Sequence, residues 1–215
     1  MKMKMKKIIL SITLLAMTAT SATVIASANV QTSAINATMD SNPYKSKHIV
    51  FTEQTIKDGK TTEAKYEVWY NDKGYYRMNT VSGPYAGDYE IWDGKNLYQY
   101  TKMVDDLITR DLSNENGIPV PHPFLSTVIA SRIKKDVEDK KLDKQLKSNK
   151  TEVYTKTLTD DASNKVRTEV ALDKDNGVIT ESNYFINEKP VHVIKVENIE
   201  KVTTFDDNLL NQAKK

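Results

Sequence analysis

Apolar and polar residues alternate along most of the chain after Lys47, with the period of two that is typical of half-buried β-strands. Within Thr61–Tyr70, for example, Tyr66, Val68 and Tyr70 share one side, with a glutamate and a tryptophan between them. Short polar segments separate these runs, as hairpin turns do, so the pattern predicts an antiparallel meander. The predicted turns are Lys57–Lys60, Asn71–Gly74, Ser82–Gly87, Asp93–Gly94, Asp160–Asn164, Asp175–Gly177 and Glu188–Lys189.

The period changes in the middle of the chain. Three prolines in Asn114–Pro123 interrupt any regular element, and Pro123 suits a first helical turn. Apolar residues then recur at helical spacing among charged ones, which predicts an amphipathic helix of roughly four turns. The segment Asp136–Lys147 is almost entirely charged and is predicted to be the solvated end of this helix. The apolar positions are Leu125, Val128, Ile129, Ile133 and Val137.

The order of elements, four or five strands, a helix and four more strands, predicts an α+β fold. One long, curved antiparallel sheet of about eight to ten strands has an amphipathic helix laid against it. Apolar and polar residues alternate at about half of the strand positions, so one face of the sheet is expected to be exposed to solvent and the other to be covered.

The first 28 residues have the pattern of a secretory signal peptide. Lysines precede an apolar run, and a Ser/Thr/Ala stretch ends at Ala26-Ser27-Ala28, so cleavage is predicted near Ala28. The alternative is a retained membrane anchor, because Ile8–Ala28 is long enough to cross a bilayer. Residues 29–46 are predicted to be a flexible leader, 47–210 the folded domain and 211–215 a tail.

Removing the predicted signal peptide changes the net charge. The whole chain has 31 basic and 29 acidic residues, and the signal holds four of the lysines, which leaves 27 basic against 29 acidic residues. This balance gives no electrostatic argument for binding nucleic acid. The chain has no cysteine, so neither a disulfide nor a cysteine-linked lipid anchor is expected. An exported protein, secreted or held in the cell envelope, is the prediction.

No arrangement of residues points to catalysis or to a metal, and no enzyme activity or cofactor is predicted. The three histidines, His48, His122 and His192, are far apart in the sequence and none has a second ligand at metal-binding spacing. The segment Asp173–Gly177 begins like a calcium loop, but the twelfth position is Tyr184 rather than glutamate.

Aromatic residues are the strongest candidate for function. Eleven tyrosines occur in the chain and most lie between Tyr66 and Tyr100. An ordinary core is one interpretation, because tyrosine forms strands well and half-buries readily. The other is an apolar cavity on the concave face, covered by the helix and able to hold an acyl chain. The predicted cavity residues are Tyr66, Val68, Tyr70, Tyr76, Met78, Tyr89, Ile91, Tyr98, Tyr100, Leu125, Ile129 and Ile133.

Three segments carry a resemblance to a known family. The run IWDGKNLYQY, Ile91–Tyr100, follows Tyr76-Arg77, and VALDKDNGVITESNYF and VENIEKVTTFDDNLL follow near the C-terminus. In order and spacing, over about residues 47–210, they resemble the bacterial periplasmic lipoprotein carriers of the LolA type. Asn71–Gly74 stands where carriers have an Arg-Pro pair.

The resemblance implies an unclosed β half-barrel that binds acyl chains or a partner's lipid anchor on its concave side. The same scaffold occurs in regulatory sensors of the RseB type and in lipid-binding lipoproteins. Two functions are therefore expected as alternatives. One is an exported, non-catalytic carrier or chaperone of a lipid or lipidated protein, with peripheral membrane contact. The other is an envelope regulatory protein that binds a protein partner without lipid.

Overall fold

The computed structural model describes residues 42–113, 119–122, 125, 135–136, 138–139, 143–175, 177–206 and 208–211. The predicted signal peptide and nearly all of the predicted leader lie outside this range. Most of the predicted helix does too, including Ile129 and Ile133, so a helix covering the concave face stays a prediction. In the described part of the chain, no helix has the length and apolar character needed to cross a membrane.

Strands make up most of the described chain, as the alternating pattern predicts. A 3₁₀ turn, Lys102–Val104, and a short helix, α1 (Asn208–Asn211), accompany them. The strands are β1 (Lys47–Lys57), β2 (Lys60–Tyr70), β3 (Tyr76–Ser82), β4 (Tyr89–Trp92), β5 (Asn96–Thr101), β6 (Asp106–Asp111), β7 (Asp143–Leu146), β8 (Thr151–Thr159), β9 (Lys165–Asp173), β10 (Ile179–Ile186) and β11 (Lys189–Lys201).

All of these strands belong to one antiparallel sheet in the order β6-β5-β4-β3-β2-β1-β11-β10-β9-β8-β7. The end strands β6 and β7 do not pair with each other, so the sheet is an unclosed half-barrel, as predicted. It has eleven strands, slightly more than expected.

The two halves of the meander meet through the first and last strands. Phe51 of β1 lies opposite Val196 of β11, and Ile49 lies opposite Ile199, with a bulge between Val50 and Phe51. The N- and C-terminal strands therefore form the middle of the sheet, and the edges come from the middle of the sequence.

Two strands were not predicted. The run after Tyr100 ends at Thr101, turns, and returns as β6, paired with β5 along its whole length. The segment Asp143–Leu146, predicted as the charged end of the helix, is instead β7 and pairs with β8. Both are short, charged edge strands, which are formed by their neighbour's backbone rather than by an apolar pattern of their own.

The main core lies on one face of the sheet, which we call the inner face. It extends from β5 through the centre to β8. Tyr44, which the sequence placed in the leader, is 1% exposed there, and its hydroxyl accepts a hydrogen bond from the Ile179 amide at 3.3 Å. A lone tyrosine among Ser and Asn has no periodicity to reveal this role. The buried residues are Tyr44, Ile49, Phe51, Val68, Tyr70, Tyr76, Trp92, Leu97, Leu112, Leu125, Tyr154, Val170, Leu172, Val178, Ile179 and Ile194.

A second, smaller core lies on the opposite, outer face. Ile91 and Tyr98 pack there beneath Leu210 of α1, with Phe205 at the margin. Because Trp92 is buried on the inner face and Ile91 on the outer, β4 is covered on both sides. The C-terminal segment is thus part of the fold.

Candidate functional site

The strand register divides the predicted cavity residues between the two faces. On β2 and β3, Val68 lies opposite Met78 and Tyr70 opposite Tyr76. With Tyr66, these residues share the inner face with Phe51 and contribute to the main core or pack against it. Leu125 is buried in the same core. These predicted residues therefore share the inner face, in the core or against it, and their role in lining a cavity stays a prediction.

The residues predicted on β4 and β5 lie on the other face. Met78 is opposite Glu90, and Arg77 is opposite Ile91, so Glu90 faces inward and Ile91 outward. Tyr98 lies opposite Ile91, and Tyr89 opposite Tyr100. The prediction that Tyr89, Ile91, Tyr98 and Tyr100 share a face with Tyr76 and Met78 is therefore wrong.

The loop between β3 and β4 sets this parity. The Thr80 amide donates to the Asp88 carbonyl at 2.9 Å, and the Gly87 amide donates to the Thr80 carbonyl at 2.8 Å. Since a shift of one residue moves every side chain to the opposite face, the length of this loop decides the face of all of β4 and β5. The sequence pattern alone does not fix that length.

A polar centre interrupts the apolar inner face at Glu53. Its carboxylate contacts His192 Nε2 at 2.6 Å and His122 Nε2 at 3.5 Å, and it accepts a hydrogen bond from the Tyr66 hydroxyl at 3.0 Å. These residues come from β1, β2, β11 and the proline-rich segment. We call Glu53, Tyr66, His122 and His192 the Glu53 centre.

The histidines decide the electrostatics of this centre. Burial alone raises the pKa of Glu53, but the hydrogen bonds and charges of His122 and His192 outweigh it and hold that pKa far below its usual value. Burial and the Glu53 charge together raise the pKa of Tyr66 well above its usual range, so its hydroxyl stays a donor. The centre therefore carries an ionised carboxylate on a largely covered surface.

Aromatic rings surround the centre. Phe51 and Tyr66 stack with ring centroids 5.0 Å apart, and His122 meets them at 5.1 and 5.5 Å. Sequence reasoning missed this cluster because its members are distant in the chain. One signal was present: Glu53 occupies the same side of β1 as Ile49 and Phe51, where an apolar residue is expected.

A second inward carboxylate, Glu90, has the opposite character. It accepts hydrogen bonds from the Tyr76 hydroxyl at 2.5 Å and from Gln99 Nε2 at 2.6 Å. Desolvation raises the pKa of Glu90, and these neutral donors only partly offset it. The inner face thus holds one carboxylate whose pKa is lowered and one whose pKa is raised.

The Glu53 centre is not arranged to hold a metal. Both imidazole Nε2 atoms are directed at the carboxylate itself, and among the described residues no group of His, Asp and Glu side chains has a metal-binding arrangement. The centre instead places a fixed set of polar groups next to apolar side chains of the main core. The half-buried apolar residues packed on that core are Tyr66, Tyr75, Met78, Val196 and Ile199.

An open cavity of about 530 Å³ lies on the outer face. Arg77 forms part of its wall and donates to Asn79 Oδ1 at 2.8 Å and to the Leu209 carbonyl at 3.2 Å. Its guanidinium also stands over the Tyr89 ring at 4.8 Å. The lining residues are Glu67, Arg77, Asn79, Thr80, Val81, Ala86, Gly87, Asp88, Tyr89 and Lys102.

Comparison with known proteins gives similar structures only. No protein-family model and no curated protein matches the sequence. An uncharacterised conserved protein from Thermus thermophilus is 10% identical, with a TM-score of 0.46 over 82% of this chain and 92% of that one. A LolA superfamily protein from Nitrosomonas europaea is 11% identical, with a TM-score of 0.39 over 81% and 96%.

A chain from the Pseudomonas aeruginosa MucA/MucB complex is also similar. It is 14% identical, with a TM-score of 0.46 over 80% of this chain, which spans 58% of that structure. A LolA superfamily protein is thus among the structures similar to this chain, as the motifs predicted.

Proposed function

We propose that this protein is an exported, non-catalytic binding protein that holds an acyl chain, or the lipidated segment of another protein, against its inner face. One observation supports this most directly. Apolar side chains of the inner face, such as half-buried Val196 and Phe51 opposite it, lie next to the polar Glu53 centre, because the Phe51 ring contacts Tyr66 and His122. An amphiphile needs both, because its chain gains from apolar contact while its head group or amide needs hydrogen-bonding partners.

The predicted signal peptide agrees with this function, since it delivers the chain to where membranes and lipidated proteins are accessible. The predicted amphipathic helix would supply the cover over the bound chain. Localisation outside the cytoplasm, in the envelope or the medium, is part of the proposal.

A matched pair of substitutions on β11 tests the proposal. Val196 lies on the inner face opposite Phe51, and Val193 lies on the outer face opposite Gln54, and both are half-buried. We expect Val196→Lys to weaken binding of a fluorescent fatty acid at least about tenfold. Val193→Lys should leave binding unchanged. Fluorescence titration measures the affinity, and circular dichroism confirms that both variants fold.

Mass spectrometry of an organic extract of the purified protein gives an independent readout. A stoichiometric lipid that is lost in Val196→Lys supports the proposal. Absence of lipid, together with no binding of the fatty acid by the wild type, would refute it.

The alternative is an envelope protein that binds a protein partner without lipid. The outer-face cavity and the exposed apolar residues beside it favour this second function, because surface apolar groups at a cleft are typical of interaction sites. Binding of a partner that persists after complete delipidation distinguishes it. The exposed residues are Val81, Tyr85, Met103 and Val104.

A further inference from the structure

In the described part of the chain, β6 is the end strand of the sheet and pairs with β5 alone, so its other backbone edge is open there. All its residues except Leu107 are exposed. Ile108 is 53% exposed, and the adjoining turn residues Met103 and Val104 are 71% and 57% exposed. An exposed edge offers unpaired backbone groups to another strand, and charged side chains on it limit pairing to a strand whose charges complement them.

The hydrogen bonding of β5 with β6 shows which backbone groups point outward. The Leu112 amide donates to the Lys95 carbonyl at 2.8 Å, directly opposite it in the same register. In antiparallel pairs, hydrogen-bonded residues alternate along the strand. Even-numbered residues of β6 therefore direct their amides and carbonyls toward β5, and Leu107, Thr109 and Asp111 direct theirs to the open edge.

From this pattern we infer that β6 is a self-association surface that pairs with β6 of a second copy of this chain. Only odd-numbered residues can supply the hydrogen bonds, and among the registers that satisfy this we infer the one in which Leu107 of one copy pairs with Thr109 of the other. That register places Asp106 opposite Arg110 of the second copy, and Arg110 opposite its Asp106. Ile108 then lies opposite itself on the two-fold axis.

The side chains of β6 complement each other in this register. Asp106, Ile108 and Arg110 all lie on the inner face, because Ile108 is opposite Gln99, which is opposite the inward-facing Glu90. Two opposite-charge pairs thus flank an apolar pair, and such cross-strand pairs are the favourable ones. The Ile108 pair is of the non-hydrogen-bonded kind, in which side chains approach most closely.

The same register limits the association to two copies. Both copies use the same strand, so the contact is isologous and closes on itself. At each end of the pairing, Asp111 meets the turn residue Asp105 of the second copy, and this repulsion keeps the pairing short. A contact of one short strand is small, and we expect a dissociation constant in roughly the micromolar range.

Charge reversal with rescue tests the inference. Sedimentation equilibrium of the purified protein from about 2 to about 200 μM should show a concentration-dependent rise toward twice the chain mass. Asp106→Arg and Arg110→Asp each put like charges opposite one another in both of the flanking pairs. Each should weaken dimerisation at least about tenfold. The double variant restores both pairs and should recover the dimer.

Two further variants control for other effects. Lys57→Asp reverses an exposed charge outside β6 and should leave the dimer unchanged. Thr109→Pro removes an amide that points to the open edge, so it should abolish dimerisation with β5–β6 pairing intact. A wild type that is monomeric throughout the concentration range overturns the inference. A dimer that is insensitive to Asp106→Arg and Thr109→Pro does so equally.

Discussion

At the scale of single residues, Glu53 shows how a few polar contacts define a position on an otherwise apolar face. The two imidazoles and the Tyr66 hydroxyl join β1, β2, β11 and the segment that carries His122. Removing the charge of Glu53 leaves the side chains that donate to it without an ionic acceptor. A covered donor without an acceptor lowers the stability of the folded protein. The centre is thus both a structural cross-link and the polar end of the proposed site.

Glu53→Gln tests this role through pH. Because the folded-state pKa of Glu53 is depressed, its stabilisation is present above the ordinary carboxyl pKa of about 4.3 and declines as pH falls below it. We expect the variant to be less stable than the wild type by about 2 kcal/mol at pH 7, with a smaller difference at pH 3. Urea unfolding across this pH range measures both.

Glu63→Gln is the matched control on the same hairpin. Glu63 is exposed and accepts a hydrogen bond only from Gln54 among its described contacts. Its substitution should change the free energy of unfolding by less than about 0.5 kcal/mol at either pH. Equal stability of Glu53→Gln and the wild type at pH 7 contradicts the role assigned to Glu53.

At the scale of elements, β4 is a strand buried on both faces. Its four residues, YEIW, do not alternate, because Trp92 completes the inner core while Ile91 packs under α1. Gly94 follows with a φ of 93°, and a Cβ there would lie 2.2 Å from the Tyr75 ring. The Asp-Gly turn is therefore required by close packing as well as by conformation.

Ile91→Ala should destabilise the protein by about 3 kcal/mol, because it removes apolar volume from a site with 0% exposure. Ile108→Ala removes the same atoms from an exposed position near the same sheet edge. At low protein concentration it should cost less than about 0.5 kcal/mol. Urea unfolding measures both free energies. If Ile91→Ala lowers the free energy of unfolding no more than Ile108→Ala does, then α1 does not cover the outer face.

Some of these elements are predicted by the sequence and others are not. Alternation and turn residues located the long strands and most hairpins, since these signals are local. The face of Ile91 and Tyr98 depends on how the loop after β3 closes, and the Glu53 centre joins residues more than a hundred positions apart. β6 and β7 have charged sequences and exist because a neighbouring strand offers its backbone. Local patterns contain none of this information.

At the scale of the whole molecule, stability is expected to grade from the centre of the sheet to its edges. β1 pairs along its length with both β2 and β11, whereas β6 and β7 each have one neighbour. Native-state hydrogen exchange should find the slowest amides in β1, β2 and β11, and the fastest among hydrogen-bonded strand amides in β6 and β7. The experiment uses dilute samples, in which the protein is a monomer. The expectation is contradicted if the amides of β6 exchange as slowly as those of β1.

The junction of β1 with β11 also determines the order in which the chain can fold. The second strand that pairs with residues 47–57 is formed by residues 189–201, so the centre of the sheet cannot form until nearly the whole chain is present. Contacts between such distant segments form slowly, because the long intervening chain must first be brought together. A chain that is exported N-terminus first exposes one edge of β1 until its last strand arrives. In the export proposed for this protein, the arrival of β11 is therefore also the step that completes the core.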